Sequence, residues 1–316
     1  MKRIQNKIAL SRLSLPTTAF LALLVWIAGG VIEQKLWLQL ACFVLSSYIM
    51  VELNTTFVLL RTYSRMVSCV FIVLSCCASF LFNNSYSSVA TLCFVASLMP
   101  LFKSYQDKES VGWTFYAFIP LGAASLLWAQ MLFLVPIAWV LMAICLRSFS
   151  LRTLMASVLG ILTPYWFALV YFVYTKDYNT PLEHFRQLAD LGPITACSTA
   201  DEYFSRFSLL GFERLLCLAF AVILFVTGFV HFFRNRFQDK LNTRMYYDIF
   251  ITYGFLLLTG IILQPQHFDM LFHLLIVCTS PLAAHYITHT KTYITNISFI
   301  VMCVAALAII VLNIII

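Results

Sequence analysis

The feature that most constrains this chain is a series of eleven long apolar runs, each bounded by charges or polar clusters, at approximately 15–32, 36–53, 66–82, 86–102, 111–128, 130–146, 153–175, 211–233, 245–263, 270–287 and 295–316. An α-helix needs about 20 mainly apolar residues to cross a bilayer core of about 30 Å, and each run is close to that length. With 62% of its residues apolar and only 10% charged, the chain holds more apolar surface than one water-soluble core of 316 residues hides. The pattern predicts an all-α, polytopic transmembrane bundle of about 11 helices, a single integral membrane domain over 1–316. The net charge of +7 then reports orientation and not nucleic-acid binding.

The positive-inside rule tests the count, because every helix moves the next connection to the other side. With the N-terminus inside, the inner segments hold Lys2, Arg3, Lys7 and Arg12; Arg61 and Arg65; Lys103 and Lys108; Arg147 and Arg152; Arg234, Arg236, Lys240 and Arg244; and Lys291. The outer segments hold only Lys35, Lys176, Arg186, Arg206 and Arg214. This asymmetry predicts N-in, C-out threading, with one helix left open around residues 53–65. The first run resembles a secretory signal, but its length and its place in the alternation mark it as an uncleaved helix.

Few side chains with chemistry interrupt the runs. Nine of the ten cysteines lie inside them and read as small buried hydrophobes, while Cys197 falls in an aqueous loop as a free thiol. Glycosylation patterns at Asn54, Asn83 and Asn296 sit at membrane boundaries, which disfavours their use. Glu52, Asp248, Glu213, Arg214, His231 and His285 fall near helix ends, where snorkelling to the interface accounts for them. His285 and His289 are spaced i, i+4, but the sequence around them offers no third ligand, so neither a metal nor a cofactor is assigned. Pro120, Pro136, Pro164 and Pro281 read as kinks, and Ala156 with Gly160 as a close helix contact.

The longest connection, 176–210, is the most informative. Thr180-Pro181-Leu182-Glu183 reads as a capping box ahead of a helix over 181–191, with Leu182, Phe185 and Ala189 on one face and Glu183, Arg186, Gln187 and Asp190 on the other. Thr199-Ala200-Asp201-Glu202 opens a second such helix. The segment thus predicts an extracytoplasmic amphipathic two-helix loop lying on the outer membrane surface.

The stretch LFLVPIAWVLMAICLRSFSLRTLMASVLGILTPYW, Leu132 to Trp166, followed by PQHFDMLFHLLIVCTSPLAAHY at 265–286, resembles polytopic inner-membrane proteins of Bacteroidetes type. The same pattern is similar to lipid-linked-sugar enzymes of the GT-C glycosyltransferase and O-antigen polymerase or ligase classes. That resemblance implies an inner-membrane, cell-envelope protein acting on a polyprenyl-phosphate-linked glycan or lipid at the outer face. Its implied partners are membrane lipid, the polyprenyl-phosphate-linked substrate and other envelope proteins. Arg186, Arg206 and His184 would bind the anionic head group, since the guanidinium fork matches phosphate oxygens. His267 and Asp269 would serve as catalytic base, joined by Glu33, the sole acidic residue of a first outer loop that is only Ile32-Glu33-Gln34-Lys35. A non-catalytic subunit of an envelope assembly and an uncoupled transporter or flippase are the alternatives.

Overall fold

The computed structural model describes residues 4–176, 179–189 and 210–315. Among them there is no strand, and the chain is an all-α polytopic membrane bundle. We number its helices α1 (Ile4–Leu10), α2 (Ser14–Ala28), α3 (Trp37–Phe57), α4 (Met66–Cys77), α5 (Ser85–Lys103), α6 (Val111–Leu127), α7 (Ala129–Leu146), α8 (Leu151–Thr175), α9 (Asn179–Ala189), α10 (Phe212–Asn235), α11 (Leu241–Leu263), α12 (Phe268–His289) and α13 (Tyr293–Ile315).

Every apolar run coincides with one of these helices. Eight of the described helices are long and apolar enough to cross a membrane, or nine if α1 and α2, bent by 90°, count as one span. The two remaining apolar helices are short, α4 with 12 residues and α6 with 17. Twelve residues rise about 18 Å, too little to span a bilayer alone. Nearly all of α4 is buried among protein side chains, so its ends are satisfied inside the bundle and not by lipid. The open stretch 53–65 contains no extra helix. α3 runs to Phe57, and Val58 then takes a left-handed conformation (φ 47°) that turns the chain into the connection carrying Arg61 and Arg65.

The chain divides into two compact units: Met1–Ser88 with Thr199–Ile316, and Val89–Ser198. In the first, α12 is the central helix, with 17 of its 22 residues buried, and α4, α10 and α11 pack around it. Small residues set these approaches. A Cβ added at Gly228 would lie 2.6 Å from the Leu282 backbone, so α10 and α12 meet at contact distance only because a glycine stands there. α1 lies across the ends of α12 and α13. Gln5 Nε2 donates to the Ile287 carbonyl at 2.6 Å and to Thr290 Oγ1 at 2.7 Å, while the Ser64 hydroxyl donates to the Ala9 carbonyl at 2.6 Å.

In the second unit, α6 and α8 form the tightest pair. Gly122 faces the Ile161 backbone and Gly160 faces Phe115 and Phe118, which is the close contact expected of the small residues at 156 and 160. Pro120 and Pro164 lie inside these helices without breaking them. The expected loop helix at 181–191 is present as α9, starting at Asn179, so Thr180 lies within its first turn and is not its cap. The Phe185 ring stacks on Tyr165 of α8 at 5.7 Å, which seats α9 on this unit. The second loop helix, with Cys197 and Arg206, lies outside the described residues.

Candidate functional site

Three features of the first unit converge on one end of α12, the end carrying the basic connections. α10 ends at Asn235, and a short 3-10 turn over Arg236–Gln238 swings the chain back before α11 begins at Leu241. Arg244 holds this turn, donating to the Asp239 carbonyl through Nε and to the Phe237 carbonyl through Nη2, both at 2.9 Å. The Asp239 side chain is thereby pressed into the bundle, fully shielded from solvent, where it meets Arg61 on one side and α12 on the other.

Arg61 Nε donates to Asp239 Oδ1 at 2.5 Å, and its Nη1 donates to Gln238 Oε1 at 2.8 Å. The second carboxylate oxygen, Oδ2, lies 3.2 Å from His285 Nε2. A carboxylate only accepts, so His285 carries a hydrogen on Nε2. Its other nitrogen, Nδ1, lies 3.2 Å from His231 Nδ1 on α10. Two facing imidazole nitrogens share one hydrogen, so with all histidines neutral it is His231 that donates. Burial pushes the Asp239 carboxyl up, but the hydrogen bonds from His285 and Arg61 and the charge of Arg61 outweigh it and hold the group at about 2.

Aromatic rings enclose the array. Tyr247 of α11 meets the His285 ring edge-on at 5.2 Å and stacks on Phe232 at 4.7 Å, while its hydroxyl donates to the Leu59 carbonyl at 3.3 Å. His289 completes the enclosure with its ring 4.6 Å from that of His285, and its shielded Nε2 has no hydrogen-bond partner among the described residues. No group of three or more His, Cys, Asp or Glu among the described residues is arranged to hold a metal ion.

This arrangement corrects the snorkelling assignment for two residues. His285 is fully buried and held from both sides, and His231 is hydrogen-bonded to it instead of reaching for the interface. Asp248 likewise forms an ion pair with Arg236. Asp239 and Arg61, which complete the array, were not singled out by sequence. The available signal was that Asp239 is the only acidic residue in a turn crowded with Arg234, Arg236, Lys240 and Arg244.

The residues expected to form an outer pocket are distributed as follows. Asp269 stands in the first turn of α12 and pairs with Arg214 of α10 through two contacts, Nε to Oδ1 at 2.9 Å and Nη2 to Oδ2 at 3.3 Å. That helix N-terminus favours a carboxylate in its own right. His267 precedes α12 in a 3-10 turn, with its Nε2 3.3 Å from Gln266 Nε2. Glu33 is exposed in the turn between α2 and α3. His184 and Arg186 lie on α9 of the other unit: Arg186 is exposed, and His184, whose ring is 6.4 Å from that of Tyr165, has a shielded Nε2 with no hydrogen-bond partner among the described residues. Arg206 is outside the described residues. The structure thus joins Asp269 to Arg214, a residue not on the expected list. Of the Asn54 and Asn296 acceptors, the first donates to the Ser64 carbonyl at 2.7 Å and the second accepts from the Gln5 amide at 3.1 Å, so both serve packing.

No family model, curated protein or solved structure matches this chain.

Proposed function

We propose that this chain is a proton-responsive multi-pass membrane protein of the transport class, working at the inner side of an inner membrane. The observation that carries this reading is His285, a completely buried ionisable side chain in a membrane helix, hydrogen-bonded on one nitrogen to a buried carboxylate and on the other to a second histidine. Ionisable groups inside a bundle are costly to keep, and chains of Asp and His are the usual means of moving protons there.

The array accepts one proton without any side chain turning. An incoming proton binds His231 at Nε2, the Nδ1–H bond of His231 breaks, and that proton passes to His285 Nδ1. His285 becomes an imidazolium donating to His231 and to Asp239, and Asp239 stays ionised between His285 and Arg61. A second proton would set two N–H groups against each other across 3.2 Å and break the contact between α10 and α12. Proteoliposomes containing a trapped pH dye test the reading. Under an imposed proton gradient the full chain should acidify the lumen at least about tenfold faster than an Asp239→Asn variant. Proton entry no faster than in empty vesicles would overturn it.

A second reading, an envelope enzyme acting on a polyprenyl-phosphate-linked glycan at the outer face, draws support from α9. Its Arg186 is exposed, and His184 beside it has a shielded, unpartnered ring nitrogen among the described residues. In this reading Arg186 and His184 bind the anionic head group. Arg186→Ala should then abolish turnover of a polyprenyl-pyrophosphate-linked sugar and leave thermal stability unchanged.

A further inference from the structure

A second feature of the first unit is independent of the histidine array. Between α2, α4, α10, α12 and α13 lies a cleft of about 200 Å³, with Cys69, Val70 and Ala283 buried on its floor and Ile8, Thr17 and Cys303 exposed at its rim. An apolar cavity of about 150 Å³ is already large enough to stay dry and take up a ring-sized hydrocarbon. The hydroxyls along the cleft do not make it polar. Thr17 donates to the Leu13 carbonyl at 2.9 Å and Thr18 to the Ser14 carbonyl at 3.0 Å, so both are spent on their own helix. The cavity therefore suits a hydrocarbon chain.

One end of the cleft is closed by α1, pinned through Gln5 to α12 and its C-cap. Around that end the charge is of one sign. In the segments that frame the cleft, 4–18, 62–75 and 287–306, every Asp, Glu, Lys or Arg position is basic: Lys7, Arg12, Arg65 and Lys291. Lys7 and Arg12 are exposed, and Arg65 directly precedes Met66 at the wall of the cleft. An apolar slot between membrane helices beneath a purely basic rim has the chemistry of a site for a lipid with an anionic head group, where each Lys or Arg near the surface adds about 1 kcal/mol of attraction.

We infer that this cleft binds one anionic phospholipid, with an acyl chain along Val70 and Ala283 and its phosphate held by Lys7, Arg12 and Arg65. The occupant is a lipid and not a second protein helix because the charges framing the cleft are all basic, which matches an anionic head group. The proposal is separate from the proton array, since none of its residues belongs to that array.

The test uses the full chain in nanodiscs made from equimolar phosphatidylglycerol and phosphatidylcholine, released into the gas phase and weighed with its bound lipid. One phosphatidylglycerol should be retained, preferred over phosphatidylcholine by roughly thirtyfold or more, as expected of two to three basic contacts at about 1 kcal/mol each. A Lys7→Gln, Arg65→Gln double variant should bring the two lipids to equal retention, and Val70→Trp, which fills the slot, should retain neither. Equal retention of both lipids by the unaltered chain overturns the proposal, as does a bound protein in place of lipid or undiminished phosphatidylglycerol in a folded Val70→Trp. The selectivity of the unaltered chain decides the matter even where a variant fails to fold.

Discussion

Two carboxylates, Asp239 and Asp269, sit near opposite ends of the same pair of helices, α10 and α12, and each is paired with an arginine. Their surroundings separate them. The Asp269 side chain is 28% exposed and that of Arg214 36%, so water shares in solvating the pair. Asp239 is fully shielded and divides its two oxygens between Arg61 and a buried histidine. A half-exposed pair contributes little because water offers each charge nearly as much, whereas a shielded charge depends on every partner it has. The difference separates a fastener, which tolerates loss, from a node whose protonation is felt by three helices.

The largest expected effect comes from removing the two carboxylates one at a time. Asp239→Asn removes the charge that compensates Arg61 and turns one of the two acceptor oxygens into an NH2 donor, so either Arg61 or the His285 N–H loses its acceptor, and it should cost about 3 kcal/mol of stability. Asp269→Asn should cost about 1 kcal/mol or less. Unfolding of the two variants in detergent micelles, followed by helical circular dichroism, measures both, and equal losses would erase the distinction.

Acid should act next. Asp239 is held at about 2 in the folded chain, below the ordinary aspartate value of 3.8, so its contribution is present above pH 4 and is lost as pH falls from about 4 toward 2. The linked stabilisation is roughly 2 kcal/mol. Unfolding midpoints between pH 5 and pH 2 should drop steeply for the unaltered chain and more gently for Asp239→Asn, and parallel curves would count against the shared carboxylate. Salt should act in the reverse sense. Raising ionic strength to about 1 M should weaken the Arg214–Asp269 pair by a few tenths of a kcal/mol and leave the shielded array unchanged, which double-mutant cycles at two salt concentrations can resolve.

The finest distinction is one of tautomers. With ¹⁵N-labelled histidine, neutral His285 should show its hydrogen on Nε2 and neutral His231 on Nδ1. The opposite tautomers would break the relay while leaving the Asp239–Arg61 pair intact.

Much of the architecture is legible without coordinates, but unevenly. Apolar runs announce α3, α5, α8 and α10 to α13 because crossing lipid demands a length of apolar helix that is written locally. The same logic misreads α4, whose apolar run looks like a span and is instead a short helix kept inside protein. It also misses α1, whose seven residues are fixed by Gln5 reaching the end of α12, 282 positions away. For the site, His285 and His289 are visible as an i, i+4 pair, yet pairing within one helix says nothing of what faces it. Asp239 looks like a turn residue until Arg244 pins that turn and points its carboxylate inward.

The sequence by itself determined that this is a multi-pass helical membrane protein and roughly where its long apolar helices lie, because burying backbone polar groups in lipid leaves a helix as the open choice and composition alone sets which segments enter. Only the tertiary structure decided which ionisable groups meet. Arg61 reaches Asp239 across 178 positions, and Asp239 reaches His285 across 46. Such contacts depend on the rotation of each helix about its axis and on where glycines such as Gly228 let two backbones close. Those are properties of packed surfaces, to which the hydropathy of any one segment is blind.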